Sequence, residues 1–141
     1  MSKPKVVIAD ADCIVAQAFV DDANHQVTIA LVQKLDENRD HIIFPSTAIA
    51  EAITTLQRKF SNPQLAASTL ELFTDTSIDI ANIDQEIIRE AKKLFNPKSS
   101  KHNTLFDCIV AIVAKKHSAD AIFSFDDWYS KLGFKLVSDL F

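Results

Sequence analysis

The chain has 141 residues, 48% hydrophobic and 24% charged, with a formal net charge of −4, which suits one globular domain that buries a core without disulfides or structural metal. A net negative chain has no overall basic field, so it can hold nucleic acid only through a local basic patch or a bound cation. One glycine, Gly133, is too few for the Rossmann or Walker phosphate loops.

The N-terminus MSKPKVV lacks a signal-peptide pattern, and no apolar run reaches 18 residues, so the expectation is a cytoplasmic protein with no membrane segment. Cys13 and Cys108 are then read as free thiols in a reducing compartment.

In chain order, residues 6–9 (VVIA) form a β-branched apolar run without polar alternation, as in a strand covered on both faces. It ends on Asp10, with Asp12 two residues on. Apolar residues then recur at helical spacing over residues 12–20 and 24–35. Residues 41–44 read as a second strand, closed by Pro45. Ser46 is the expected N-cap of a helix whose core stripe is Ile49, Ile53, Leu56 and Phe60, leaving Glu51 on another face.

Asn62 and Pro63 open a further helix to about residue 75. Residues 77–81 alternate like a short edge strand, and Asp84 caps a helix that ends before Asn96 and Pro97. NPKSSKHNT, residues 96–104, is a polar loop. Residues 106–117 form an alanine-rich helix buried on most sides, and residues 121–125 a strand with Asp126 at its carboxyl end. A short helix over 127–132 stops at Gly133, and residues 134–137 give a last strand.

Strands alternating with helices predict a three-layer α/β/α fold with a central parallel sheet of four to five strands, in one domain over residues 1–141. Ligands of such sheets sit outside the carboxyl ends of the strands. Asp10 and Asp126 lie at such ends, Asp107 belongs to the first turn of its helix, and Glu51 lies about one turn into the helix after the second strand, both helices starting at the same edge. Four carboxylates in one partly buried cleft raise each other's pKa unless a cation is present. A hard divalent ion takes oxygen ligands and retains waters, which suits phosphodiester cleavage.

IADADCIV, FPSTAIAEAI and LFDCIVAIVAKKHSADAIFSFDDWYSKLGFKLV, in that order and over almost the whole chain, resemble the PIN-domain family and, more narrowly, its VapC-type toxin ribonucleases. The resemblance maps Asp10, Glu51, Asp107 and Asp126 to the family's four acidic positions and Ser124 to its hydroxyl position. It implies RNA cleavage with Mg2+ or Mn2+, a cognate antitoxin as partner and a homodimer. Two positions depart from the pattern: Ala11 stands where a hydroxyl residue is usual, and Asp12 where Asn or Ser is common. Asp12 is either a further metal ligand or a helix cap.

Lys98, Lys101, His102 and Asn103 in the loop, with Arg58 and Lys59, are candidates for an RNA-backbone patch, against ordinary surface charge. His25, His41 and His117 belong to no motif, and Trp128 and Tyr129 are expected to pack. Two other functions compete. In a haloacid-dehalogenase-like phosphatase Asp10 would be the nucleophile, Asp12 the acid/base and Asp126 with Asp127 the Mg2+ ligands, leaving Glu51 idle. In a non-catalytic PIN-like module that binds RNA or protein, the metal site would be weak or empty.

Overall fold

The computed structural model describes residues 3–98 and 103–141. Strand β1 (Val6–Ala9) leads into α1 (Ala11–Ala18) and α2 (His25–Glu37), then β2 (His41–Pro45). Helix α3 (Ser46–Thr54) runs into a π-helical turn, Thr55–Lys59, followed by α4 (Pro63–Leu72) and β3 (Asp79–Ala81). After α5 (Gln85–Lys92) and α6 (Leu105–Lys116) come β4 (Ala121–Phe123), α7 (Trp128–Lys131) and a 3-10 turn, Val137–Leu140.

The four strands form a parallel sheet in the order β3-β2-β1-β4. Val7, Ile8 and Ala9 are fully buried, which explains the uninterrupted apolar run: β1 is central and covered on both faces. The order of strands reverses between β1 and β4, and that is where a crevice opens beyond the carboxyl ends of a parallel sheet. Ala9 pairs with Phe123, and the Asp10 N–H donates to the Phe123 carbonyl at 3.0 Å. Asp10 is thereby set beside Ser124. Helix α6 closes the layer behind it, burying Cys108, Ile109, Val110, Ala111, Val113 and Ala114.

Four local expectations need correction. The predicted strand at 134–137 is reduced to a single bridge, Ile122 with Leu136. The cause is Asp139, whose carboxylate accepts the Leu136 N–H at 2.8 Å and turns the chain into the 3-10 segment. The edge strand begins at Asp79 rather than residue 77, because the Asp75 carboxylate accepts the Ser77 N–H at 2.9 Å and holds a turn there. Pro45, the last residue of β2, takes the N-cap position of α3, so Ser46 is already helical. Beyond Thr54 the α-helix passes into the π turn.

Candidate active site

Asp10 is both the residue after β1 and the N-cap of α1, its Oδ1 accepting the Ala11 N–H at 2.7 Å. A short side chain at this junction is required by the cap. The same junction buries it to 4% exposure at the sheet's carboxyl edge. Asp107 is fixed by another cap: it is the third residue of α6, and its Oδ2 accepts the Thr104 N–H at 3.1 Å in a capping box. Asp126 follows β4, and its Oδ1 accepts the Trp128 N–H at 2.9 Å. Glu51 comes from the middle of α3.

The four acids line one cleft of about 280 Å3, together with Asp12 and Lys59. A larger cavity of about 510 Å3, lined mostly by apolar side chains such as Ile14, Val32, Phe44 and Leu72, contains no carboxylate. A third cleft of about 300 Å3 has only Glu86 and Glu90, both from α5, as carboxylates, whereas the 280 Å3 cleft gathers carboxylates from several elements.

Electrostatics reflect the crowding. Burial raises the pKa of Asp10, against the hydrogen bonds it accepts from Tyr129, Ala11 and Ser124. Glu51 is pushed up to about 7 by desolvation and by the charges of Asp10, Asp107 and Asp12. Asp107 rises to about 6, through desolvation first and then the charge of Asp10. Asp12 rises to about 7, again through burial and then Asp10. Such a cluster binds protons more readily than isolated carboxylates do, and a cation relieves it in the same way.

Asp12 is not the helix cap, since Asp10 holds that place. It fastens the end of β4 instead: its Oδ2 accepts the Phe125 N–H at 2.8 Å and lies 2.9 Å from the Ser124 hydroxyl. Its Oδ1 is buried with no hydrogen-bond partner. Ser124, 4% exposed, also stands 3.1 Å from Asp10 Oδ2 and accepts the Asp126 N–H at 3.1 Å.

The donor set fits a hard, hydrated divalent ion: every candidate group is a carboxylate oxygen, and Asp12 Oδ1 is an orphaned buried acceptor. Among the described residues no three His, Cys, Asp or Glu side chains are grouped so as to hold a metal ion together. Mg2+ does not need such a group, because it is usually held by one or two carboxylates and several waters.

Sequence patterns did not disclose two features of the cleft. Tyr129 is fully buried as expected, yet its hydroxyl donates to Asp10 Oδ2 at 2.8 Å and lies 3.4 Å from Asp107 Oδ1. The π turn is the second. Its Phe60 N–H to Thr55 carbonyl bond, 3.1 Å, takes up one extra residue. Lys59, eight residues after Glu51, therefore falls where the seventh residue of an uninterrupted helix would, on the face of Glu51 and Thr55.

The remaining candidates separate. Lys101 and His102 lie outside the described residues, and the Asn103 amide reaches Asp126 Oδ2 at 3.5 Å. Arg58 and Lys98 are exposed and not among the residues lining the cleft. Cys13 and Cys108 are buried free thiols. His41 pairs with Asp79 at 2.6 Å, both at the first residues of their strands, away from the carboxyl edge.

The family model for the PIN domain matches residues 7–135. The chain belongs to the PIN domain family. A VapC ribonuclease from Aquifex aeolicus (strain VF5) is 27% identical over 109 residues, 75% of this chain and 76% of that protein. The fold is similar to that of VapC20 from Mycobacterium tuberculosis, a sarcin-ricin loop cleaving toxin, with a TM-score of 0.78 and 16% identity over 91% of this chain and 95% of that one. It is also similar to VapBC2 from Rickettsia felis, solved bound to a DNA fragment from their promoter, with a TM-score of 0.62 and 13% identity over 93% and 96% of the two chains. Among the described residues no helix is long and apolar enough to cross a membrane.

Proposed function

We propose that this PIN-family chain is a divalent-metal-dependent endoribonuclease, the toxin of a type II toxin-antitoxin pair, formed as one domain over residues 1–141 and working in the cytoplasm. One observation carries the reading: Asp10, Glu51, Asp107 and Asp126, drawn from four separate elements, meet with Asp12 in one cleft at the carboxyl edge of the sheet. Resemblance to a VapC ribonuclease supports RNA as the substrate, and similarity to VapBC2 supports a cognate antitoxin as partner. A homodimer belongs to the same reading.

Asp10, Asp107, Asp126 and Glu51 would hold Mg2+ or Mn2+, with the free Oδ1 of Asp12 beside them. When bound, the ion supplies Lewis-acid polarisation of a phosphate oxygen and an activated water. The chain contributes the rest. Asp10, fixed by the α1 cap and by two hydroxyls, is held in one rotamer. Glu51 and Asp107, half-buried and raised in pKa by desolvation and neighbouring carboxylates, are the groups whose ionised form a bound cation would favour. Lys59 offers its ammonium to the backbone of the incoming strand, the one cation among the residues lining the cleft.

A haloacid-dehalogenase-like phosphatase needs Asp127 beside Asp126, but Asp127 is not among the cleft residues, whereas Glu51 is. The test is cleavage of RNA by the purified chain with Mn2+, with excess chelator, and by Asp10→Asn and Asp107→Asn. Ion-dependent cleavage lost in both variants supports the reading, and cleavage that ignores the chelator removes it.

A further inference from the structure

Of the two hydroxyls on Asp10, the buried one of Tyr129 makes the shorter contact, 2.8 Å against 3.1 Å for Ser124. Asp10 accepts from three donors: the Ala11 N–H on Oδ1, and the hydroxyls of Ser124 and Tyr129 on Oδ2 at 3.1 and 2.8 Å. A serine hydroxyl has one proton to give. Ser124 stands closer to Asp12 Oδ2, at 2.9 Å, so it serves one carboxylate at a time. Tyr129 stays on Asp10 whichever way Ser124 turns. Its oxygen also lies 3.4 Å from Asp107 Oδ1, which interposes a neutral group between two carboxylates that repel.

We propose that Tyr129 is a positioning residue of the cleft: from α7 it orients Asp10 and spaces Asp107 from it, holding both carboxylates ready for a divalent cation. The ring provides the rigidity, being fully buried and packed edge-on against Trp128 with centroids 5.3 Å apart. Groups that hydrogen-bond to a metal ligand set its orientation, and their loss typically weakens metal affinity or activity 10- to 100-fold.

This inference rests on the metal-dependent reading, and the experiment separates the two. Calorimetric titration with Mn2+ alone compares wild type with Tyr129→Phe, which keeps the ring and removes the donor; the variant's affinity should fall at least about tenfold. Its kcat on RNA should fall while KM is unchanged. A second measurement needs no variant. Tyr129 is the single tyrosine of the chain, so 13C labelling at tyrosine Cζ produces one signal, which should shift during a Mg2+ titration with the midpoint of binding. Equal Mn2+ affinity in the two proteins, with or without a lower melting temperature in the variant, overturns the role of Tyr129, as does a Cζ signal that stays still while Mg2+ binds. Wild type that binds neither ion overturns the metal-dependent reading, and this inference with it.

Discussion

Replacing Glu51 by Gln should stabilise the metal-free protein while removing its activity. Glu51 is raised from 4.5 to about 7 by desolvation and by Asp10, Asp107 and Asp12. In acid the group is protonated in both folded and unfolded chains, so burial carries no ionisation cost. As pH rises through about 7 the folded chain must ionise Glu51 against its neighbours, whereas the unfolded chain has done so near 4.5, and stability is lost. At about 1.4 kcal/mol per tenfold change in proton affinity, the full effect is about 3 kcal/mol. Glu51 is only half-buried, and solvent screening reduces this to about 1–2 kcal/mol. For a chain of this length that is a rise of about 5 °C in melting temperature for Glu51→Gln at about pH 8 in chelator. The advantage should shrink towards zero as the buffer is brought to about pH 5, where wild-type Glu51 is largely protonated in the folded state. Saturating Mg2+ should invert the order, because a ligand at 100 times its Kd adds about 2.7 kcal/mol to whichever protein binds it. Thermal melts at both pH values, with chelator and with Mg2+, check all of this. A variant less stable than wild type in chelator at about pH 8, or a difference that ignores pH, would refute the charge-crowding argument.

Asp10→Asn and Asp107→Asn should reduce RNA cleavage to the chelator background while circular dichroism reports an unchanged fold, since an amide oxygen can still accept the cap bonds from Ala11 and Thr104. At about pH 5, where Asp12 is largely protonated in the folded state, Asp12→Ala should destabilise by about 1–3 kcal/mol in denaturant titrations, because it strands the part-buried Phe125 N–H. Asp12→Asn should lose less. Lys59→Ala should raise KM for RNA and flatten the salt dependence of binding by about 1 in log-log slope, which a filter-binding series would read.

The parallel sheet and the four acids were legible because each leaves a local mark. An apolar β-branched run ending on a carboxylate is visible at Asp10 and again at Asp126, and alternation of strands with helices brings those ends to one edge. Asp107 is marked by its place between a polar loop and an alanine-rich helix. What stayed hidden depends on contacts between distant segments. Tyr129 at helical spacing reads as packing, and it does pack; only the fold reveals that its hydroxyl meets Asp10, 119 positions away. The available signal was that a buried tyrosine needs a partner for its hydroxyl, and SFDDWY puts this one just after Asp126. Asp12 was undecidable between ligand and cap because its partner, the Phe125 N–H, belongs to another strand end. The failed strand at 134–137 was lost to one side chain, Asp139, competing for the Leu136 N–H. The π turn that orients Lys59 has no compositional mark in TLQRK.

The most direct test of the whole account is a cleavage assay on RNA with purified protein, run with Mn2+, with excess chelator, and with Mn2+ restored, beside Asp10→Asn. Internal phosphodiester cleavage that vanishes in chelator, returns with Mn2+ and is absent from the variant is the predicted result. Cleavage that persists in chelator, or a variant as active as wild type, would contradict the claim that carboxylates meeting at the carboxyl edge of the sheet act through a shared cation.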